Sequence, residues 1–185
     1  MFILNLDFFI LIQIVSKFTT FQKKITLKKQ ITVEYEVFPS LERLAQEDMS
    51  LMEQAVLARA NAYAPYSSFH VGAAVLLENG KVVVGNNQEN ASYPSGLCAE
   101  RVAIFQAGAI YPGVKIKAVA ITATSKNYAV KEPAAPCGNC RQAMIEYEQK
   151  QKEPISILLM GEIGEVIKIS SLSDILPLAF NSSFL

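Results

Sequence analysis

Apolar and polar side chains alternate from Ile31 to Val37 in the order Ile, Thr, Val, Glu, Tyr, Glu, Val. That two-residue period predicts a half-buried strand, one that would add an edge to a sheet. Between Ala45 and Ala62 the period lengthens: Met49, Leu51, Met52, Ala55, Val56 and Leu57 recur at one-, three- and four-residue spacings, with Pro65 beyond them. This predicts a helix with one broad apolar face. Val71–Leu77 and Lys81–Gly85 read as paired strands joined through Asn79-Gly80, a dipeptide suited to the positive φ angles of a tight hairpin. Pro94, Ser95 and Gly96 break the chain, and a helix then runs from near Cys98 to Ala107 through Val102, Ala103, Ile104 and Phe105. Ile116–Ala123 is a β-branched run and predicts a buried strand; after Pro133 and Pro136 a further helix extends from about Cys137 to Gln149. Ile155–Met160 and Val166–Ile169 supply two more strands around a Gly161/Gly164 turn, and Ser171 or Ser173 caps a short closing helix. Short strands separated by helices predict an α/β fold, a three-layer sandwich whose strand order and pairing direction periodicity does not reveal.

The first thirty residues stand apart from this pattern. Phe8–Val15 is almost entirely apolar, but Asn5, Asp7 and Gln13 interrupt the wider run, which falls short of the ~20 residues that span a bilayer. Lys17, Lys23 and Lys24 follow the apolar stretch, whereas a secretory signal carries its basic residues in front. The chain therefore divides into an N-terminal extension (1–30), a lead-in strand and linker (31–44) and the main domain (45–185). No stable membrane association is expected, interfacial attachment being the weaker reading.

Composition narrows the function. With 51% hydrophobic and 18% charged residues in 185, the chain can bury one sizeable core and is not generally disordered. Seventeen basic residues balance seventeen acidic ones, so no net positive field gathers phosphates, and a small neutral substrate fits better than a nucleic acid. Three cysteines are too few and odd in number for a disulfide framework, which points to a reduced, cytoplasmic setting.

All three cysteines fall at the predicted starts of two helices, in Cys98-Ala99-Glu100 and in Pro136-Cys137-Gly138-Asn139-Cys140. Unsatisfied N–H groups and the positive end of the helix dipole favour thiolate there, and thiolates bind zinc. Three ligands leave a fourth position for water, whereas a structural site closes with four. The only candidate for that closure is His70, the single histidine, whose strand-like surroundings favour a packing role. Glu100, two residues past Cys98, is poorly placed for another bond to the metal but well placed to move protons on a water held there. A reading of the cysteines as small buried hydrophobes is weakened by the C-x-x-C spacing and by Glu100.

Five segments occur in one order: Tyr63-Ala64-Pro65-Tyr66-Ser67, Phe69-His70-Val71-Gly72-Ala73-Ala74, Asn87-Gln88-Glu89-Asn90-Ala91, Cys98-Ala99-Glu100-Arg101 and Pro136-Cys137-Gly138-Asn139-Cys140-Arg141-Gln142. From about Ala45 to Phe180 the chain resembles the small homotetrameric zinc-dependent cytidine deaminases. The resemblance implies a cytidine-deaminase-like α/β/α sandwich with a mixed five-stranded sheet and one Zn2+ per chain on Cys98, Cys137 and Cys140. It makes Glu100 the catalytic proton carrier and gives substrate-binding roles to Phe69 at the base, to Asn87 and Glu89 at the ribose hydroxyls, and to Ala99. Arg101 and Arg141 would contact the thiolates and relieve their negative charge. Phe180, in Leu176-Pro177-Leu178-Ala179-Phe180, would wall a neighbouring subunit's site, with a core role as its competitor; Leu178 replaces a glycine common in that segment. The implied activity is deamination of the small-molecule nucleosides cytidine and deoxycytidine in pyrimidine salvage, by a cytoplasmic homotetramer. Rival readings are a deaminase of blasticidin S, a nucleic-acid cytosine deaminase, against which the balanced charge argues, and a zinc-stabilised interaction module.

Overall fold

Strands β2 (Phe69–Leu77) and β4 (Ile116–Ser125) carry the alternation that divides the core into two layers. Ala73, Val75 and Leu77 of β2 and Val119 and Ile121 of β4 point to one face, where Ala103, Ile104, Met144 and Ile145 of α2 (Ala99–Ile110) and α3 (Gly138–Gln151) meet them. Ala74, Leu76, Ala118 and Ala120 point to the other, against Leu51, Met52 and Ala55 of α1 (Gln46–Arg59). The result is an α/β/α sandwich, seen in a computed structural model that describes residues 27–185. The apolar stretch Phe8–Val15 lies outside the described residues.

With β1 (Glu36–Phe38), β3 (Val82–Asn86), β5 (Ser156–Met160) and β6 (Val166–Ile169), the sheet has six strands in the order β1-β6-β5-β4-β2-β3. The mixed sheet therefore exceeds the expected five strands by one, the edge strand β1. Only β4 and β5 run parallel, joined by the crossover that contains α3; every other pairing is antiparallel. The strand expected over Ile31–Val37 is confined to Glu36–Phe38, which pair with Lys168, Ile167 and Val166 of β6; Ile31, Val33 and Tyr35 are exposed.

Two further details depart from the periodicity. Leu57, counted on the apolar face of α1, is 64% exposed, since Leu51, Met52, Ala55 and Ala58 define that face and Leu57 lies well off it. The β2–β3 connection is a three-residue loop, closed by Gly80 N–H to Leu77 O (2.9 Å) and Leu77 N–H to Lys81 O (2.9 Å). Only Gly80 takes a positive φ (79°), as in a type I turn followed by a left-handed glycine.

Small residues bring the helices close. A Cβ on Gly85 would sit 2.5 Å from Ala103 N and 2.6 Å from Ala99 O, so β3 touches the backbone of the first turns of α2. The short α4 (Leu172–Ile175) is capped by Ser171, whose Oγ accepts from Ser173 N (3.1 Å).

One buried carboxylate joins three elements. Glu148 of α3 accepts from the Ile155 and Leu172 N–H groups at 2.8 Å each, from Ser173 N, and from the Ser171 and Ser173 hydroxyls. Burial pushes its carboxyl up, but those donors, the Ser173 hydroxyl foremost among them, hold it below the ordinary range. Because the folded value is depressed, the stabilisation is present above the unfolded value of about 4.3 and is lost as pH falls through the folded one. Glu148→Ala strands the buried Ile155 and Leu172 N–H groups and lowers stability by about 3 kcal/mol at neutral pH. Urea unfolding at pH 7 and at pH 3 checks this: the gap between parent and variant narrows in acid.

Candidate active site

Most of the residues singled out in the sequence converge at one end of the sheet, where β2 begins and β4 ends and where α2 and α3 start. Phe69 pairs with Ser125 at that end. Beyond β3, Gln88 bridges to Tyr63 on one side and Leu97 on the other, bringing Glu89 and Cys98 beside the same opening. Here lies a cavity of about 600 Å³, lined among others by Phe69, Asn87, Glu89, Cys98, Glu100, Arg101 and Cys137.

Cys98 and Cys137 occupy the N-cap positions of α2 and α3, and Cys140 lies in the first turn of α3. Their sulfurs lie within 4.8 Å of one another, the one cluster of metal-ligating side chains of its kind among the described residues, and Cys137 and Cys140 Sγ are 3.5 Å apart. Zn–S bonds of ~2.3 Å in a tetrahedron place sulfurs about 3.8 Å apart, so this donor set fits zinc. His70, the alternative fourth ligand, is not part of the cluster; it sits in β2 opposite Thr124 with a buried, unpartnered Nε2.

The thiols are already polarised. Cys98 is pulled down to about 5, first by its hydrogen bond with Cys140 and then, against burial, by Arg101. Cys140, deeper in the core, is pushed up by the same hydrogen bond and by burial. Arg101 Nη2 lies 3.8 Å from Cys98 Sγ, a contact that relieves thiolate charge, and 3.5 Å from Gly96 O. Arg141 departs from the expected sulfur contact. Its Nε donates to Pro136 O (2.9 Å) and its Nη1 to Ile175 O (3.0 Å), so it braces the backbone in front of Cys137 and ties that turn to α4.

Glu100 is 4% exposed in the second position of α2, facing the cavity. Desolvation raises its carboxyl above the ordinary range, with the Cys98 charge adding to the effect. A carboxyl so placed can hold a proton as well as release one.

The substrate-side residues are more self-satisfied than their types suggest. Asn87 accepts from Val71 N (2.8 Å) and donates to Phe69 O (2.9 Å), prolonging the edge of β2. Glu89 accepts from Tyr66 N, Ser67 N and the Ser67 hydroxyl. Ala99 lies in the core with its side chain fully buried and contributes none of the cavity wall. Phe180 is 58% exposed and stacked on Phe184, so it has no core role; it also stays outside this chain's own cavity. Its carbonyl accepts from Gln142 of the cysteine motif (2.9 Å).

Sequence reasoning missed Tyr93, Ala134 and Ala135, which also line the cavity. Tyr93 is 78% exposed at the rim and meets Tyr66 edge-on; a tyrosine beside a proline carries no signal beyond that of a turn. It missed Arg59 as well, whose half-buried guanidinium joins Thr122 Oγ1 (2.7 Å), Ala123 O and Gly161 O on the opposite face of the sheet.

Known proteins are similar to this chain. Residues 45–152 match the model of the cytidine and deoxycytidylate deaminase zinc-binding region. The chain is 41% identical over 132 residues to a cytidine deaminase from Halalkalibacterium halodurans, covering 71% of this chain and 92% of that relative. It is 36% identical over 130 residues to a cytidine deaminase from Mycobacterium tuberculosis, covering 70% and 86%. Among solved structures, cytidine deaminase from Burkholderia pseudomallei superposes with a TM-score of 0.63 at 42% identity, covering 74% of this chain and 100% of that one.

Proposed function

The chain belongs to the cytidine deaminase family, and from that membership we propose that it is a zinc-dependent hydrolase that removes the 4-amino group of cytidine and deoxycytidine, yielding ammonia and the uracil nucleosides. The observation that carries this reading is a buried glutamate beside a three-sulfur cluster on the wall of a cavity of nucleoside size. Cys98, Cys137 and Cys140 would hold the ion, which, when bound, supplies Lewis acidity that makes water a nucleophile near neutral pH. Glu100 takes a proton from the attacking water and delivers it to N3 of the pyrimidine, then takes the proton of the new C4 hydroxyl and passes it to the departing amine as the C4 carbonyl forms. Its burial keeps those transfers away from solvent. Phe69 stacks on the base and Asn87 and Glu89 receive the ribose hydroxyls, while Ala99, buried between Cys98 and Glu100, acts on the site only through the turn that carries them. Arg101 relieves charge at Cys98, and Arg141 fixes the turn that carries Cys137.

The homotetramer that the family resemblance implies is proposed for this chain as well; the exposed Phe180 and Tyr93 are compatible with cover by a neighbouring copy. Unpaired thiols at the site need reducing surroundings, which supports a cytoplasmic salvage role. No helix among the described residues is long and apolar enough to cross a membrane.

The test is to offer zinc-loaded protein cytidine, deoxycytidine, cytosine, blasticidin S and a short cytosine oligonucleotide in parallel and to measure the ammonia released. Cytidine and deoxycytidine lead the ranking. Faster turnover of the antibiotic or of the oligonucleotide replaces the substrate, and turnover of none removes the enzymatic reading.

A further inference from the structure

We propose that Ser67 is a positioning residue which locks Glu89 as a carboxylate with one open acceptor direction and fixes it relative to Phe69. This rests on the nucleoside reading above. An ionised carboxylate offers about four lone-pair directions. In Glu89, Oε2 accepts from Tyr66 N (2.8 Å) and Ser67 N (3.3 Å), and Oε1 accepts from Ser67 Oγ (2.5 Å). One direction, on Oε1, is left for a ligand hydroxyl.

The serine has a second task. Its Oγ accepts from Phe69 N (3.0 Å). A backbone N–H only donates, so the single hydroxyl proton goes to Glu89, and the chain Phe69 N–H to Ser67 O–H to Glu89 has one polarity. Each bond in such a chain strengthens the other. The hydroxyl is also the main influence holding the Glu89 carboxyl below its ordinary range, which keeps it an acceptor.

The backbone between these groups is not relaxed. Ser68 takes φ 56°, the left-handed region, without being a glycine. It is held there by Ser68 N–H to Ala64 O and Lys126 N–H to Ser68 O, both 3.1 Å. Strain over-determined by neighbouring bonds in this way is characteristic of sites whose geometry is set before a ligand arrives. On the other side, Tyr63 O receives Glu89 N–H (2.9 Å) and Tyr63 N–H donates to Asn87 O (3.0 Å), so the loop that carries Ser67 and the segment that carries Glu89 form one unit. A nucleoside thus meets a base wall and a hydroxyl acceptor already in register, without paying to order either.

Ser67→Ala removes the hydroxyl and frees Glu89 to rotate. The variant raises KM for cytidine about 10-fold and changes kcat by less than about 3-fold, the signature of lost ground-state organisation. Ser67 is exposed, so the added methyl of Ser67→Thr has room; that variant keeps the hydroxyl and restores KM. An unchanged KM in Ser67→Ala overturns the proposal, as does an equal loss in Ser67→Thr, which would mark a steric or folding role. If the parent protein itself releases no ammonia from cytidine, the functional reading falls instead. A crystal structure of Ser67→Ala then decides on Ser67 alone: a carboxylate turned away from the Tyr66 and Ser67 N–H groups supports the proposal, and one left in place overturns it.

Discussion

Replacing Glu100 with glutamine lowers kcat for cytidine by about 10²–10⁴-fold, the usual worth of positioned acid–base transfer, while each chain keeps its zinc. Glutamine matches glutamate in shape and adds no volume to a position that is 4% exposed, so neither the cavity nor the sulfur cluster is disturbed. What disappears is the capacity to take up and hand on a proton. Stability separates this from general damage. The Glu100 carboxyl is desolvated and lies near the Cys98 charge, so neutralising the side chain removes a cost of folding, and the variant melts no lower than the parent. Zinc content, melting temperature and single-turnover ammonia release on one preparation give the answer. Turnover at the parental rate takes Glu100 out of the chemistry; loss of zinc along with activity assigns it to holding the metal.

The sequence exposed the chemistry more fully than the architecture. Cysteines at two helix starts, one followed by Glu100, state a metal site because helix N-termini and C-x-x-C spacing have the same physics in any fold. The apolar runs likewise announced β2 and β4 as strands, but a run apolar throughout does not tell that Ala73 and Val75 face α2 and Ala74 faces α1. Partners were not legible. Ile31, Val33 and Tyr35 alternate with polar residues yet face solvent, because pairing with β6 stops at Glu36, and a period says nothing about how far a neighbour pairs. Arg141 could be assigned only by type, and type does not distinguish a sulfur from the carbonyls of Pro136 and Ile175. Asn87 and Glu89 were read as groups that wait for a ligand, whereas their first partners are main-chain atoms of Val71, Phe69 and Tyr66. Polar side chains at this site therefore build the wall before they can meet a ligand.

Chelating the metal lowers the melting temperature by about 10 °C but leaves the domain folded. The three sulfurs come from two helices, Cys98 from the start of α2 and the other two from the start of α3, so the ion adds a link between elements that already share one apolar core layer, with Ile104 from α2 and Met144 from α3. A ligand present at about 1,000 times its Kd adds roughly 4 kcal/mol to the folded state, and a chain of this length shifts by about 2–4 °C for each kcal/mol. The rest of the core does not depend on the metal. Leu51, Met52, Ala120 and Leu158 pack on the far face of the sheet, and six strands are paired without any contribution from the cysteines. This separates the protein from small zinc modules, which unfold when their metal is removed. Far-ultraviolet circular dichroism before and after treatment with a chelator, followed by a thermal scan and by zinc add-back, is the measurement. Retained secondary structure with a lower transition, reversed by zinc, agrees with a catalytic ion set into an independently folded sandwich. Collapse of the spectrum at room temperature makes the metal the principal scaffold, and the three cysteines then owe their placement to stability rather than to hydrolysis.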